Sequence, residues 1–130
     1  MLSKQELDAA LAAERAMYRA LSEVQDITRE LLDAVDRQDQ VSVRLFLSMR
    51  QEQINQLRDQ KELLKKQCGG LPKEEGDLLR QILSGKKTAG VEGEALSLQV
   101  ERNRALLERT LQADKALSRR LAGRESFYQS

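Results

Sequence analysis

Apolar residues recur every three or four positions along most of the chain, within two long runs that contain neither glycine nor proline. These runs cover residues 1–68 and 94–122, and the helix-breaking residues are confined to 69–93 and to Gly123. Spacings of three and four place side chains along one face of an α-helix. We therefore expect an all-α protein with a single helical domain, residues 1–130, built as an antiparallel helical bundle or as a long helical hairpin with a third long C-terminal helix.

The first helix is predicted over residues 3–36. The Ser3 hydroxyl can accept a hydrogen bond from a free backbone amide, and Glu6 completes a Ser-x-x-Glu capping box. The apolar stripe has one gap, at Glu14, and consists of Leu7, Leu11, Met17, Leu21, Val24, Ile27, Leu31 and Val35. It fades into the polar segment 36–40.

A second helix is predicted over residues 39–68, with Asp39 as its N-cap. Its stripe consists of Val43, Phe46, Leu47, Ile54, Leu57 and Leu64. The glycine pair at 69–70 is expected to end this helix, with one glycine in the left-handed conformation. Because segment 36–40 contains no glycine or proline, one continuous helix over 3–68 remains an alternative, which would give an open hairpin or an exchanged dimer.

The remainder of the chain is predicted as a short helix, a linker, a long helix and a tail. Pro72 precedes a short amphipathic helix over residues 73–84. The glycine-rich segment 84–93 is expected to be a flexible linker. The last long helix is predicted over 94–122, ending at Gly123, and is followed by the tail 123–130.

Composition and charge narrow the classes of function. Charged residues make up 33% of the chain and aromatic residues 3%, and the net charge is +1. This balance creates no long-range field, so neither nucleic acid nor a membrane surface is an expected partner. No stretch approaches the length of a membrane span, and the N-terminus has no apolar signal core. We expect a cytoplasmic protein.

Catalytic chemistry is not predicted. The chain has no histidine, which removes the commonest general base and metal ligand. Its one cysteine, Cys68, lies at a predicted helix C-terminus, where the helix dipole opposes thiolate formation. Segment 85–88, Gly-Lys-Lys-Thr, does not match a phosphate-binding loop, because Arg80 stands where the first glycine is needed and Lys87 where a serine or threonine is needed. No catalytic residue, metal ligand or cofactor is predicted.

The apolar stripe of the last helix is imperfect. It reads Leu96, Val100, Asn103, Leu107, Thr110, Asp114, Leu117 and Leu121, with Leu98, Leu106 and Leu111 partly off the line. One explanation is that a buried asparagine sets helix register. The other is a broad apolar surface that binds a helix of another protein. We prefer the second because the preceding linker would let the helix dock and undock. The predicted partner-binding residues are Val100, Asn103, Leu107, Leu111, Leu117, Leu121, Phe127 and Tyr128.

The order of these elements resembles the FlgN-type flagellar export chaperones. The similarity comprises a polar turn at 30–39, the end of the second helix at 61–64, an Asn-x-x-Leu-Leu pattern that begins at Asn103, Gly123 and a tail containing Tyr128. The resemblance implies a cytoplasmic chaperone that holds the C-terminal helices of hook–filament junction proteins and delivers them to the flagellar type III export apparatus. In that family the last helix binds the client protein.

An alternative function is a coiled-coil structural or oligomerisation module without a client. That alternative predicts a tight homodimer in which the last helix is buried, and the sequence leaves the oligomeric state open. A nucleic-acid-binding helical domain would instead show salt-sensitive binding, but acidic residues interleave with the basic ones on the last helix.

Overall fold

The computed structural model describes the backbone of residues 1–87 and 90–129, and the side chains of 1–87 and 90–123. Helices account for 87% of the residues whose backbone is described, and these residues form no strand. The prediction of an all-α helical bundle is therefore confirmed. The four helices are α1 (Lys4–Asp36), α2 (Gln40–Gly70), α3 (Lys73–Leu83) and α4 (Glu94–Gln129).

The predicted capping box is present at the start of α1. The backbone amide of Glu6 donates to Ser3 Oγ at 3.1 Å, and the amide of Ser3 donates to Glu6 Oε2 at 2.8 Å. These two hydrogen bonds satisfy amide groups that would otherwise lack an intrahelical partner.

α1 and α2 are separate helices, so the alternative of one continuous helix over 3–68 is wrong. Gln38, which follows the C-cap residue Arg37 of α1, takes the left-handed conformation with φ 59°. The amide of Asp39 then donates to Ala34 O at 3.0 Å and that of Gln38 to Val35 O at 3.1 Å. This is the hydrogen-bond pattern of a Schellman motif, formed here by a residue other than glycine. Asp39 also caps α2 by accepting from the amide of Ser42 at 3.1 Å.

Two predicted helix ends at glycine are wrong. α2 continues through the pair at 69–70, and neither of these glycines takes a positive φ. Leu71 instead ends the helix in an extended conformation, which proline favours in the residue before it. α4 continues through Gly123 to Gln129, so the tail predicted over 123–130 is helical as far as residue 129. A glycine costs a helix only about 1 kcal/mol relative to alanine, and ends it only where the chain can take another conformation.

The three long helices run up, down and up, with α1 in the middle. The side-chain amide of Gln67 near the end of α2 donates to Glu6 O at 2.7 Å, so α2 is antiparallel to α1. Arg120 near the end of α4 pairs with Asp36 at the end of α1, at 2.6 Å, so α4 is parallel to α1. α3 packs between α2 and α4 at the end of the bundle where α1 begins.

α1 is the most buried of the long helices because it packs against both others. It contributes 12 buried residues, whereas α2 contributes only Leu64 and Cys68. The larger core cluster joins the first half of α1 to the end of α2, to α3 and to the start of α4, and includes Leu7, Leu64, Cys68, Leu79, Ile82 and Leu96. The smaller cluster, Leu31, Val35 and Leu117, lies at the opposite end.

The backbones of α2 and α4 stay apart in the described part of the chain, where no Cα atom of one lies within 8 Å of a Cα atom of the other. Both helices pack closely on α1. The three long helices therefore form a layer, α2–α1–α4, in which side chains connect the two outer helices. No helix among the described residues is long and apolar enough to cross a membrane.

Candidate helix-binding groove

The separation of α2 and α4 leaves a cleft of about 350 Å³ with α1 as its floor. We call this cleft the α2/α4 groove. Its floor is formed by Glu14, Met17 and Leu21 of α1, and one end is closed by Leu83 of α3. Its walls are Ile54, Leu57, Arg58 and Lys61 on the α2 side, and Val100, Asn103, Arg104 and Leu107 on the α4 side. Most of these residues are apolar, which suits the groove to an apolar surface of another molecule.

A buried polar network joins α1 to α4 beside the floor of the groove. Asn103 Nδ2 donates to Glu14 O at 2.7 Å and also to the Glu14 carboxylate. Gln99 Nε2 donates in turn to Asn103 Oδ1 at 3.0 Å. Glu14, which is the gap in the α1 stripe, is thus hydrogen-bonded to Asn103, which is the first interruption of the α4 stripe. Asn103 is 5% exposed, which agrees with the burial that the register explanation assumed.

Burial dominates the electrostatics of Glu14. Only 5% of this residue is exposed. Burial raises the pKa of its carboxyl, while the hydrogen bond from Asn103 and the positive charge of Lys61 act in the opposite direction and lower it. A carboxylate at this depth is stable only while its hydrogen-bond donors stay in place. The network therefore ties the position of α4 to that of α1.

A second polar cluster bridges α2 and α4 further along α1. Arg50 of α2 pairs through its guanidinium with Asp114 of α4, the second interruption of the α4 stripe. Arg50 Nε also donates to Thr28 Oγ1 of α1 at 3.2 Å, and Thr28 Oγ1 donates to Val24 O at 2.6 Å. The side chain of Arg50 is only 16% exposed, so this ion pair is screened less than an ordinary surface pair. The ion pair connects α2 to α4 through side chains, where no Cα atoms of the two helices lie within 8 Å of each other.

The charged residues that line the groove are mainly basic. Arg58, Lys61 and Arg104 supply three positive charges, against one carboxyl from Glu14. Arg104 Nη1 donates to Ser84 O at 2.7 Å, which fixes this guanidinium near the α3 end of the groove. The chain as a whole is almost neutral, with 22 basic and 21 acidic residues. The excess of positive charge is therefore a local property of the groove.

The structure divides the predicted partner-binding residues of α4 between two faces. Val100, Asn103 and Leu117 are 2%, 5% and 3% exposed and belong to the packing of α4 on α1, although Val100 and Asn103 also border the groove. Leu121 is half-buried and packs against the smaller core cluster. Leu107 and Leu111 are 40% and 53% exposed, and Leu107 lines the groove. The side chains of Phe127 and Tyr128 lie outside the described residues.

Sequence reasoning did not identify the half of the site contributed by α1 and α2. Met17, Leu21, Ile54 and Leu57 were identified only as members of the apolar stripes of α1 and α2. The stripe described for α4 included Leu107 and left Leu106 partly off the line, whereas the structure buries Leu106, 3% exposed, and leaves Leu107 40% exposed.

Cys68 is buried, and burial raises the pKa of its thiol, with Arg80 opposing the shift. No group of three or more histidine, cysteine, aspartate or glutamate side chains among the described residues could hold a metal ion. Residues 88–89 of the glycine-rich linker lie outside the described residues.

No protein-family model, curated protein sequence or solved structure matches this chain.

Proposed function

We propose that this protein is a helix-binding chaperone without enzymatic activity, and that the α2/α4 groove holds an amphipathic helix of a partner protein. The observation that carries the proposal is the separation of α2 from α4 above an apolar floor. A helix placed between them would pack on all three long helices and complete a four-helix bundle.

The exposed apolar residues on the α4 side support this proposal. Leu107 lines the groove, and Leu111 lies four residues further along the same helix, on the same side. Both side chains are substantially exposed in the free protein. Removing large apolar side chains from water lowers the free energy, so their burial by a partner would be favourable. A partner helix in the groove would cover them.

The identity of the partner is proposed from the resemblance to FlgN-type chaperones. On this proposal the clients are hook–filament junction proteins, whose C-terminal helices are kept from aggregating before delivery to the flagellar type III export apparatus. The protein would act in the cytoplasm, and it would need no cofactor, nucleic acid or membrane. Helix capture requires no bond to be made or broken, which agrees with the absence of histidine and with the buried state of Cys68.

The test is co-purification of the full chain with candidate hook–filament junction proteins. The variant is Leu107→Asp/Leu111→Asp, which places two charges where the partner helix would contact α4. Leu63→Asp is the matched control, because Leu63 is 55% exposed on α2 and does not line the groove. We expect capture of a client by the wild type and by the control, and loss of capture by the double variant with unchanged helical circular dichroism.

Two results would contradict the proposal. One is the absence of any client, together with a tight homodimer in light scattering that the double variant breaks. This would assign the same leucines to self-association, as the oligomerisation alternative predicts. The other is equal capture of a client by all three proteins, which would place the binding surface elsewhere.

A further inference from the structure

The lining of the α2/α4 groove follows all three long helices over the same length. It spans residues 14–21 of α1, 54–61 of α2 and 100–107 of α4. Each stretch covers seven residue steps, which corresponds to about 10 Å along a helix axis. That length matches about two turns of a further helix.

The charged residues beside this apolar floor indicate which charges a bound helix would carry. Arg58 and Lys61 lie on one wall, and Arg104 lies on the other. Glu14, the one acidic residue of the lining, is 5% exposed and already accepts hydrogen bonds from Asn103, so it presents little negative charge to an incoming helix. An occupant therefore meets positive charge on both sides of an apolar strip.

Resting on the proposed function, we infer that the groove selects amphipathic helices whose apolar stripe is flanked by acidic residues. The stripe would contact Met17, Leu21 and Leu57, while carboxylates on the two flanks would face Arg58 and Arg104. A helix with basic flanks would bring like charges together on both walls and would be rejected.

The experiment compares two synthetic 18-residue peptides with the same leucine stripe, one flanked by glutamates and the other by lysines. Binding of each fluorescently labelled peptide to the full-length protein is measured by anisotropy at two salt concentrations. We expect the glutamate peptide to bind at least about tenfold more tightly, because several charge pairs at the edge of an interface each contribute a few-fold. Its affinity should fall as salt rises, since exposed charges are screened.

Charge reversal tests whether the groove is the source of this preference. Arg58→Glu should remove most of the preference for the glutamate peptide and improve binding of the lysine peptide. Lys66→Glu makes the same change of charge on an exposed residue of the same helix that does not line the groove, and it should leave both affinities unchanged.

Equal binding of the two peptides, binding of neither, or an unchanged preference in Arg58→Glu would overturn the inference. Failure of the inference differs from failure of the proposed function. If a client still co-purifies in a manner that depends on Leu107, the groove binds helices without this charge selection. If no client and no peptide binds, both proposals fail.

Discussion

Removal of the Asn103 side chain is the sharpest test of how α4 is held on α1. In Asn103→Ala the Glu14 carboxyl, which is 5% exposed, loses its hydrogen bond from Nδ2, and the Glu14 carbonyl loses a second one at 2.7 Å. A hydrogen bond to a charged group contributes about 1.5–3 kcal/mol, and one between neutral groups about 1 kcal/mol. We therefore expect the free energy of unfolding to fall by about 2–4 kcal/mol near neutral pH.

Replacement of both partners distinguishes a lost hydrogen bond from lost packing. Glu14→Leu/Asn103→Leu removes the buried carboxyl together with its donor, so no polar group remains unsatisfied between these two side chains. Such paired replacements are often neutral or stabilising, and we expect the double variant to recover most of the stability that Asn103→Ala loses. Gln99, whose amide donates to Asn103 at 3.0 Å, would turn to solvent or to another acceptor.

The assay is urea unfolding followed by circular dichroism at the helical minimum, with the slope of the transition compared between variants. The reasoning would be refuted if Asn103→Ala cost less than about 0.5 kcal/mol, the range of ordinary surface substitutions. It would also be refuted if the double variant were as unstable as the single one. Either result would mean that Glu14 does not depend on Asn103.

Three further predictions concern other contacts. Gly76→Ala would bring its Cβ to 2.5 Å from a backbone oxygen of α2 and should destabilise the protein by about 1–3 kcal/mol in urea unfolding, whereas Gly69→Ala, with open space around it, should be neutral or stabilising. Arg50→Ala should cost about 1–2 kcal/mol in the same assay, because a partly buried ion pair and the hydrogen bond to Thr28 are lost, while Arg120→Ala at an exposed pair should cost under about 0.5 kcal/mol. The folded-state pKa of Glu14 is raised above 4.5, so its contribution to stability is fully present below that pH and is lost as pH rises through the raised pKa. The stability of wild type relative to Glu14→Gln, measured from acidic to neutral pH, should therefore decrease as pH rises; the opposite trend would contradict the assigned burial.

Local signals explain why the helices could be predicted so closely. The capping box at Ser3 and the N-cap at Asp39 depend only on residues within one turn, and both form as the sequence indicates. The predicted starts of all four helices lie within one residue of the observed ones. Helix ends at glycine were less predictable, because a glycine permits the left-handed conformation without requiring it. At Gln38 the chain takes that conformation without a glycine, supported by the two Schellman hydrogen bonds.

The groove could not be predicted, because it depends on how far apart two helices lie. Each stripe shows that a helix has an apolar face, but not whether that face meets one neighbour or two. The pairing of Glu14 with Asn103 connects positions 89 residues apart, and no local pattern indicates it. The burial of Leu106 and the exposure of Leu107 likewise depend on how α4 is oriented against α1, which the stripe of α4 alone does not define.

Site-specific photo-cross-linking tests the central claim, helix binding in the α2/α4 groove, most directly. A photoreactive phenylalanine analogue replaces Leu57 on the groove side of α2 or, as the control, Leu45, which is 56% exposed and does not line the groove. Each protein is irradiated with a peptide of the C-terminal helix of a hook–filament junction protein. We predict cross-linked peptide from position 57 and none from position 45. Binding of the peptide with cross-links only at position 45 would contradict the proposal that the groove is the binding site.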